Sequence, residues 1–145
     1  QFKDSTGKGM DWVESVVKYE RPDVVILDMG DKFADIRTER TDITLKAAAI
    51  HARNIAKQYD CAVVWMSQLS AEAEGRADLN QAMMEGSKTG KAAEADLMVL
   101  IGKTQQAEGE DEDPIRYLNI AKNKLNGFQG KITCQLDGSR SLYSA

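Results

Sequence analysis

The sequence predicts an α/β fold: a mostly parallel sheet flanked by helices, with an antiparallel hairpin at its C-terminal end. Three observations carry this reading. Val24–Leu27 and the stretch 61–67 are apolar runs without polar alternation, the pattern of strands covered on both faces. A long segment of helical spacing separates them, which is the arrangement of a parallel crossover. Beyond residue 114 the pattern changes, and 116–121 (RYLNIA) and 131–136 (KITCQL) alternate as half-exposed antiparallel strands do. A chain of 145 residues is long enough to bury a core and is expected to form one domain.

Residues 1–9 are polar, with Gly7 and Gly9, and read as a loop. From Asp11 to Tyr19, Trp12, Val13, Val16 and Val17 recur at helical spacing. Arg21-Pro22 ends this helix, because proline disfavours the helical conformation in the residue before it. Val24–Leu27 forms the first strand and 30–41 a polar loop. Thr41 or Asp42 can cap a helix from about 43 to 58 that buries Leu45, Ala48, Ala49, Ala52, Ile55 and Ala56. Tyr59-Asp60 turns the chain into the second strand. Residues 70–94 have weak periodicity and are expected to be a mobile connection with short helices. A third strand at 96–101 ends at Gly102. Gly127 and Gly130 bracket the hairpin turn, and a short strand around Ser141–Tyr143 closes the chain.

Composition narrows the function. With 42% hydrophobic and 29% charged residues the chain is of the ordinary globular class. No apolar stretch is long enough to span a bilayer and no signal-peptide pattern is present, so a cytoplasmic setting without a membrane is expected. Cys61 and Cys134 lack metal-ligand spacing and read as small core residues in a reducing compartment. A net charge of −4 argues against a broadly basic nucleic-acid coat but leaves room for a narrow basic channel. Much of the acidity lies in Glu108–Asp113, a solvated loop.

In a wound parallel sheet, ligands bind beyond the carboxyl ends of the strands. Asp28, ending DVVILD, and Gln68, ending VVWMSQ, both stand at such ends. An aspartate there can hold the waters of a bound Mg²⁺, and a neutral amide can hydrogen-bond a terminal phosphate. Each also has a plain reading, as a turn-forming aspartate and as a surface residue at a strand end. Lys122 and Lys124, in KNKLNG, are one residue apart and on a strand would share a face. At a hairpin tip they can reach a phosphate in a neighbouring subunit, or simply blunt an edge against aggregation.

Glu85–Lys91 (EGSKTGK) superficially resembles a phosphate loop. It lacks the required glycine spacing, Lys91 precedes Ala92 rather than a hydroxyl residue, and no buried strand leads directly into it. It is therefore rejected as a nucleotide loop. Such a basic, small-residue segment can meet a nucleic-acid backbone through main-chain N–H groups and Lys88, or be an ordinary solvated loop. His51, Trp12, Trp65, Met83 and Met84 read as packing residues.

Taken in order, these pieces resemble the helicase domain of the ring-forming, DnaB-like replicative helicases, particularly the phage versions, within the RecA-like ATPases. DVVILD resembles their Walker B strand and VVWMSQL the following strand with its sensing glutamine. Gly86 to Leu100 resembles the DNA-facing loop and the strand after it, and LNIAKNKLNGFQGKITCQLD the C-terminal hairpin. The resemblance implies that Asp28 assists Mg²⁺ binding and that Gln68 couples nucleotide state to the DNA loop. It puts Gly86, Ser87 and Lys88 near single-stranded DNA in the channel of a homo-hexameric ring. Lys122 and Lys124 would act in trans on the ATP of an adjacent subunit. Lys124 stands where the family commonly has arginine; it keeps the charge and loses the bidentate fork.

No G-x-x-x-x-G-K-S/T loop precedes Asp28, and the catalytic glutamate that the family carries upstream is also missing. Gln1 in place of a start methionine suggests that an upstream segment was left out or removed. The expectation is therefore a partial domain: residues 1–145 as the C-terminal portion of a single RecA-like helicase ATPase domain, lacking the phosphate-loop segment and inactive alone. Its parent would act in the cytoplasm of a phage-infected bacterial cell. Two alternatives stay open, a RecA-like recombinase or repair ATPase, and a non-catalytic binding module that has lost the phosphate loop.

Overall fold

The computed structural model describes residues 1–33, 41–85, 90–105 and 113–144. Its elements, in chain order, are α1 (Met10–Glu20), β1 (Val24–Leu27), a 3₁₀ turn (Gly30–Phe33), α2 (Thr41–Tyr59) and β2 (Ala62–Trp65). Two further 3₁₀ turns (Ala71–Ala73 and Gln81–Met83) precede α3 (Gly90–Glu94), β3 (Leu97–Gly102), β4 (Ile115–Asn123), β5 (Gly130–Asp137) and β6 (Leu142–Ser144). The described chain falls into two compact units. The first comprises residues 1–68 and 85–94, and the second residues 69–84 and 95–145. Among the described residues, no helix is long and apolar enough to cross a membrane.

The first unit is built on one parallel pair, β1 and β2, in register from Val24 opposite Ala62 to Leu27 opposite Trp65. Alternation along the pleat sends Val25, Leu27, Val63 and Trp65 to one face. There they meet Val13 and Val17 of α1, Phe33, and Leu45, Ala48, Ala52 and Ile55 of α2. The helical spacing read from the sequence thus marks the buried stripes of both helices. Arg21 ends α1 in the left-handed region, at φ 51°, a position that glycine more often occupies. Helix α2 begins at Thr41, so Asp42 lies inside its first turn, where the helix dipole favours an acid.

Polar contacts tie the two helices together. His51 shares a 2.7 Å hydrogen bond with Glu14, and the Tyr59 hydroxyl donates to the other Glu14 oxygen at 3.1 Å. The His51 and Tyr59 bonds, in that order, hold the Glu14 carboxyl below its usual range. The thiol of Cys61 is pushed up, chiefly by burial and then by the charge of Asp60.

The opposite face of the parallel pair differs from the expectation of strands covered on both sides. Val24, Ile26, Ala62 and Val64 point away from α1 and α2 and are exposed, Ile26 to 61%. The apolar runs have no polar alternation, yet the described helices of this unit pack on only one face.

The second unit is a four-stranded antiparallel meander in the order β3-β4-β5-β6. The alternation read at 116–121 and 131–136 lies within β4 and β5, and Gly127 turns the connecting hairpin at φ 78°. The third predicted strand joins this sheet, pairing antiparallel with β4; a bulge between Met98 and Val99 shifts the register by one residue. Among the described strands, parallel pairing is therefore confined to β1 and β2.

A buried asparagine organises the second unit. Asn119 donates to the carbonyl of Ala77 at 2.9 Å and accepts the Leu79 N–H at 3.3 Å, strapping that connection to β4. The connection passes so close to β3 that a Cβ on Gly102 would lie 2.5 Å from the Arg76 carbonyl oxygen. Cys134 is buried and reduced, and Met83 and Met84 fill the interior as the sequence suggests.

Candidate functional site

Parallel pairing puts the carboxyl ends of β1 and β2 at one edge of the first unit. Backbone bonds extend the pairing past both strands: Met66 N–H donates to Leu27 at 3.1 Å, and Gly30 N–H donates to Met66 at 2.8 Å. Asp28, the residue after β1, and Gln68, three residues after β2, therefore emerge on the same edge, both exposed. The sequence placed both residues at strand ends, and their shared edge follows from the register.

The turn after Asp28 has a specific shape. Met29 takes a left-handed conformation at φ 55°, uncommon for a side chain of its size. Gly30 follows, and a Cβ there would come within 2.5 Å of the Trp65 indole, so the close approach requires glycine. This tight turn brings Asp31 back beneath the strand ends.

There Asp31 meets Trp65, Ser67 and Lys91. The Lys91 ammonium donates to the two Asp31 oxygens at 3.0 and 2.9 Å and to Ser67 Oγ at 2.7 Å. Its three N–H donors thus match three oxygens. Ser67 donates to Asp31 Oδ2 at 2.5 Å, and the Trp65 indole N–H to Asp31 Oδ1 at 3.0 Å. The Lys91 side chain is 5% exposed and that of Asp31 22%. An ammonium so far from water needs this compensation, since an unpaired charge there would cost several kcal/mol, on the order of 3–5. Asp31 is fully engaged by protein donors, which leaves the exposed Asp28 as the free-standing carboxylate of the turn.

Lys91 belongs to α3, which is fastened at its far end as well. Arg53 of α2 donates to the Glu94 carbonyl, with its Nε 3.8 Å from the Glu94 carboxylate. On the other side of residues 86–89, Glu85 N–H donates to the Gln68 carbonyl at 3.3 Å. Gly86, Ser87 and Lys88 themselves lie outside the described residues. Rejection of Glu85–Lys91 as a phosphate loop agrees with the observed use of the Lys91 ammonium, which is spent on Asp31 and Ser67.

The lysines of KNKLNG lie in the second unit. Lys122 is in β4, opposite Met98, and half-buried. Lys124 lies just past the end of β4, so the alternation argument for a shared face does not extend to it. Its N–H donates to the Asp96 carbonyl at 2.8 Å, and its ammonium is 3.4 Å from the Asp96 carboxylate. Both ends of that ion pair are exposed, so it is weak and exchangeable. The hairpin tip is ordered by its asparagines: Asn123 Oδ1 accepts from Leu125 N–H at 3.0 Å, and Asn126 Oδ1 accepts from Phe128 N–H at 3.0 Å.

Sequence reasoning missed Asp31 and Ser67 as partners of Lys91. The clues were thin: an aspartate after a glycine, and a serine at a strand tip. A separate groove of about 730 Å³, lined by Lys8, Trp12, Lys32, Phe33 and His51 among others, contains none of the residues that the sequence singled out for chemistry.

No family model matches the sequence, and no curated protein matches it. Solved structures do match the fold. One, the ATPase domain of a DnaB-like helicase, superposes with a TM-score of 0.79 at 16% identity, over 94% of this chain and 51% of that one. Another, a DnaB-like replicative helicase described with its interactions with primase, gives a TM-score of 0.81 at 18% identity, over 97% of this chain and 36% of that one. The fold is therefore that of a part of the DnaB-like, RecA-type ATPase domain, as the sequence motifs implied. The chain spans about half or less of the length of the proteins it matches.

Proposed function

We propose that residues 1–145 are the later portion of a single RecA-like ATPase domain in a ring-forming, phage-type DNA helicase, working on single-stranded DNA in the cytoplasm of an infected bacterium. The observation that carries this reading is the emergence of Asp28 and Gln68 on one carboxyl edge of a parallel pair, within a fold shared with helicase ATPase domains. Such an edge is where wound α/β sheets bind their ligands.

In this reading ATP lies at a boundary between subunits of a hexamer, and its phosphate loop comes from sequence other than these residues. Asp28 holds the waters of a Mg²⁺ carried by the nucleotide. The donor set fits, because such an ion takes one or two carboxylates and keeps water and phosphate oxygens for the rest. When bound, the ion neutralises charge on the phosphates. Gln68 hydrogen-bonds the terminal phosphate, and Gly86, Ser87 and Lys88 contact DNA. Lys122 and Lys124 bring positive charge to the nucleotide of the adjacent subunit, Lys124 by leaving its weak pair with Asp96.

The test is to express the chain together with its upstream reading frame and measure ATP hydrolysis with and without single-stranded DNA. DNA-stimulated hydrolysis is expected. In the same protein, Lys124→Ala should lower ATP turnover more than ATP binding; equal loss of both refutes the trans role. A second reading, a non-catalytic binding module, draws support from the missing G-x-x-x-x-G-K-S/T loop. Absence of both a loop and hydrolysis in the longer product would favour it.

A further inference from the structure

Residues 86–89 are moored on both sides to consecutive residues at the tip beyond β2. Upstream, Glu85 N–H bonds the Gln68 carbonyl; downstream, Lys91 bonds Ser67 and, through Asp31, the turn that carries Asp28. We propose that Lys91 is a positioning residue: its ammonium clamps α3 to the carboxyl ends of β1 and β2, so that displacement of one moves the other. This rests on the reading above, in which residues before α3 meet DNA while Asp28 and Gln68 face nucleotide.

The chemistry suits a latch. The pair is largely shielded from water, so salt screens it little. All three ammonium donors are used, so sliding by even one hydrogen-bond length leaves a buried charge short of a partner, and intermediate positions are disfavoured. The cluster also carries its own reporter. The Trp65 N–H bonds Asp31 directly, and Trp12 is the other tryptophan in the chain, so Trp12→Phe leaves the indole of Trp65 as the single probe. Arg53 and Glu94 secure the far end of α3 to α2, which leaves the Lys91 end as the link to the strand tips.

The experiment is an oligo(dT) titration of this chain in the Trp12→Phe background. DNA binding is read by anisotropy of a labelled oligonucleotide, and the cluster by Trp65 fluorescence and its indole ¹H–¹⁵N signal. Three forms are compared: the Trp12→Phe parent, Lys91→Arg, and the double variant Asp31→Asn/Lys91→Met. The double variant removes the ion pair without stranding either charge, and circular dichroism checks that it folds.

The expected result is a DNA-dependent Trp65 response in the parent, retained by Lys91→Arg and reduced about 5-fold or more in the double variant, the lower end of ordinary site-to-site coupling. DNA affinity should change less than the Trp65 response. A response that persists in the folded double variant, or is absent from the parent although DNA binds, overturns the latch and leaves the helicase reading standing. Absence of DNA binding in the parent overturns both.

Discussion

The two units secure their polar interiors in different ways. The first unit pins its strand ends with a buried ion pair, Lys91 to Asp31, supported by Ser67 and Trp65. The second fixes its connection with a neutral side chain, Asn119, bonded to the backbone of Ala77 and Leu79. A charged cluster has strong, long-reaching interactions and fails abruptly when one partner is lost. A neutral amide fails by smaller steps. The unit assigned to nucleotide and DNA thus carries the more bistable fastening, and the meander carries the graded one.

The comparison breaks hardest at Lys91. Lys91→Met leaves the Asp31 carboxylate without its cation and should destabilise the chain by about 3–5 kcal/mol, while Asp31→Asn/Lys91→Met costs distinctly less. Thermal unfolding of the three proteins measures this; equal losses would mean that the charge itself contributes nothing. In the second unit, Asn119→Leu strands the Leu79 N–H and the Ala77 carbonyl and should cost about 1–3 kcal/mol. Hydrogen exchange at Leu79 should rise with it, and an unchanged rate would remove Asn119 from its strapping role.

A smaller effect is expected on acidification. The Glu14 carboxyl is lowered in the folded chain, first by His51 and then by Tyr59. Its contribution is therefore complete above the unfolded value of about 4.3 and is lost as pH falls through the lowered folded value. Trp12 fluorescence in a Trp65→Phe variant should follow that acid transition, and Glu14→Gln should flatten it.

The smallest effect on stability is expected on the bare face of the parallel pair. Ile26→Thr with Val64→Thr should change stability by no more than about 0.5 kcal/mol, since both side chains are exposed and threonine suits a strand. Sedimentation at rising concentration should show reduced self-association, because a contiguous apolar surface is being removed. A large loss of stability would instead mean that this face is packed.

Much of the architecture could be read from sequence because it is local. Val13, Val17, Leu45, Ala48, Ala52 and Ile55 were placed on buried helix faces by spacing alone, and each is buried. Alternation located β4 and β5, and Gly127 marked their turn. The candidate site was legible only in part. Asp28 and Gln68 stood out because strand ends are where chemistry collects, whereas Asp31 and Lys91 are 60 residues apart and bear no periodic relation. Asn119 looked like any polar position on an alternating strand.

By itself, then, the sequence determined which segments are helix or strand, which faces they bury, and that a carboxylate and an amide end two apolar strands. These follow from the 3.6- and two-residue periods and from turn chemistry, all local properties of the chain. Only the tertiary structure decided that the third strand pairs antiparallel with the hairpin, that one face of the parallel pair is bare, and that Lys91 is spent on Asp31. Strand partners and the mates of buried charges depend on how distant segments meet, and short-range patterning carries little record of that.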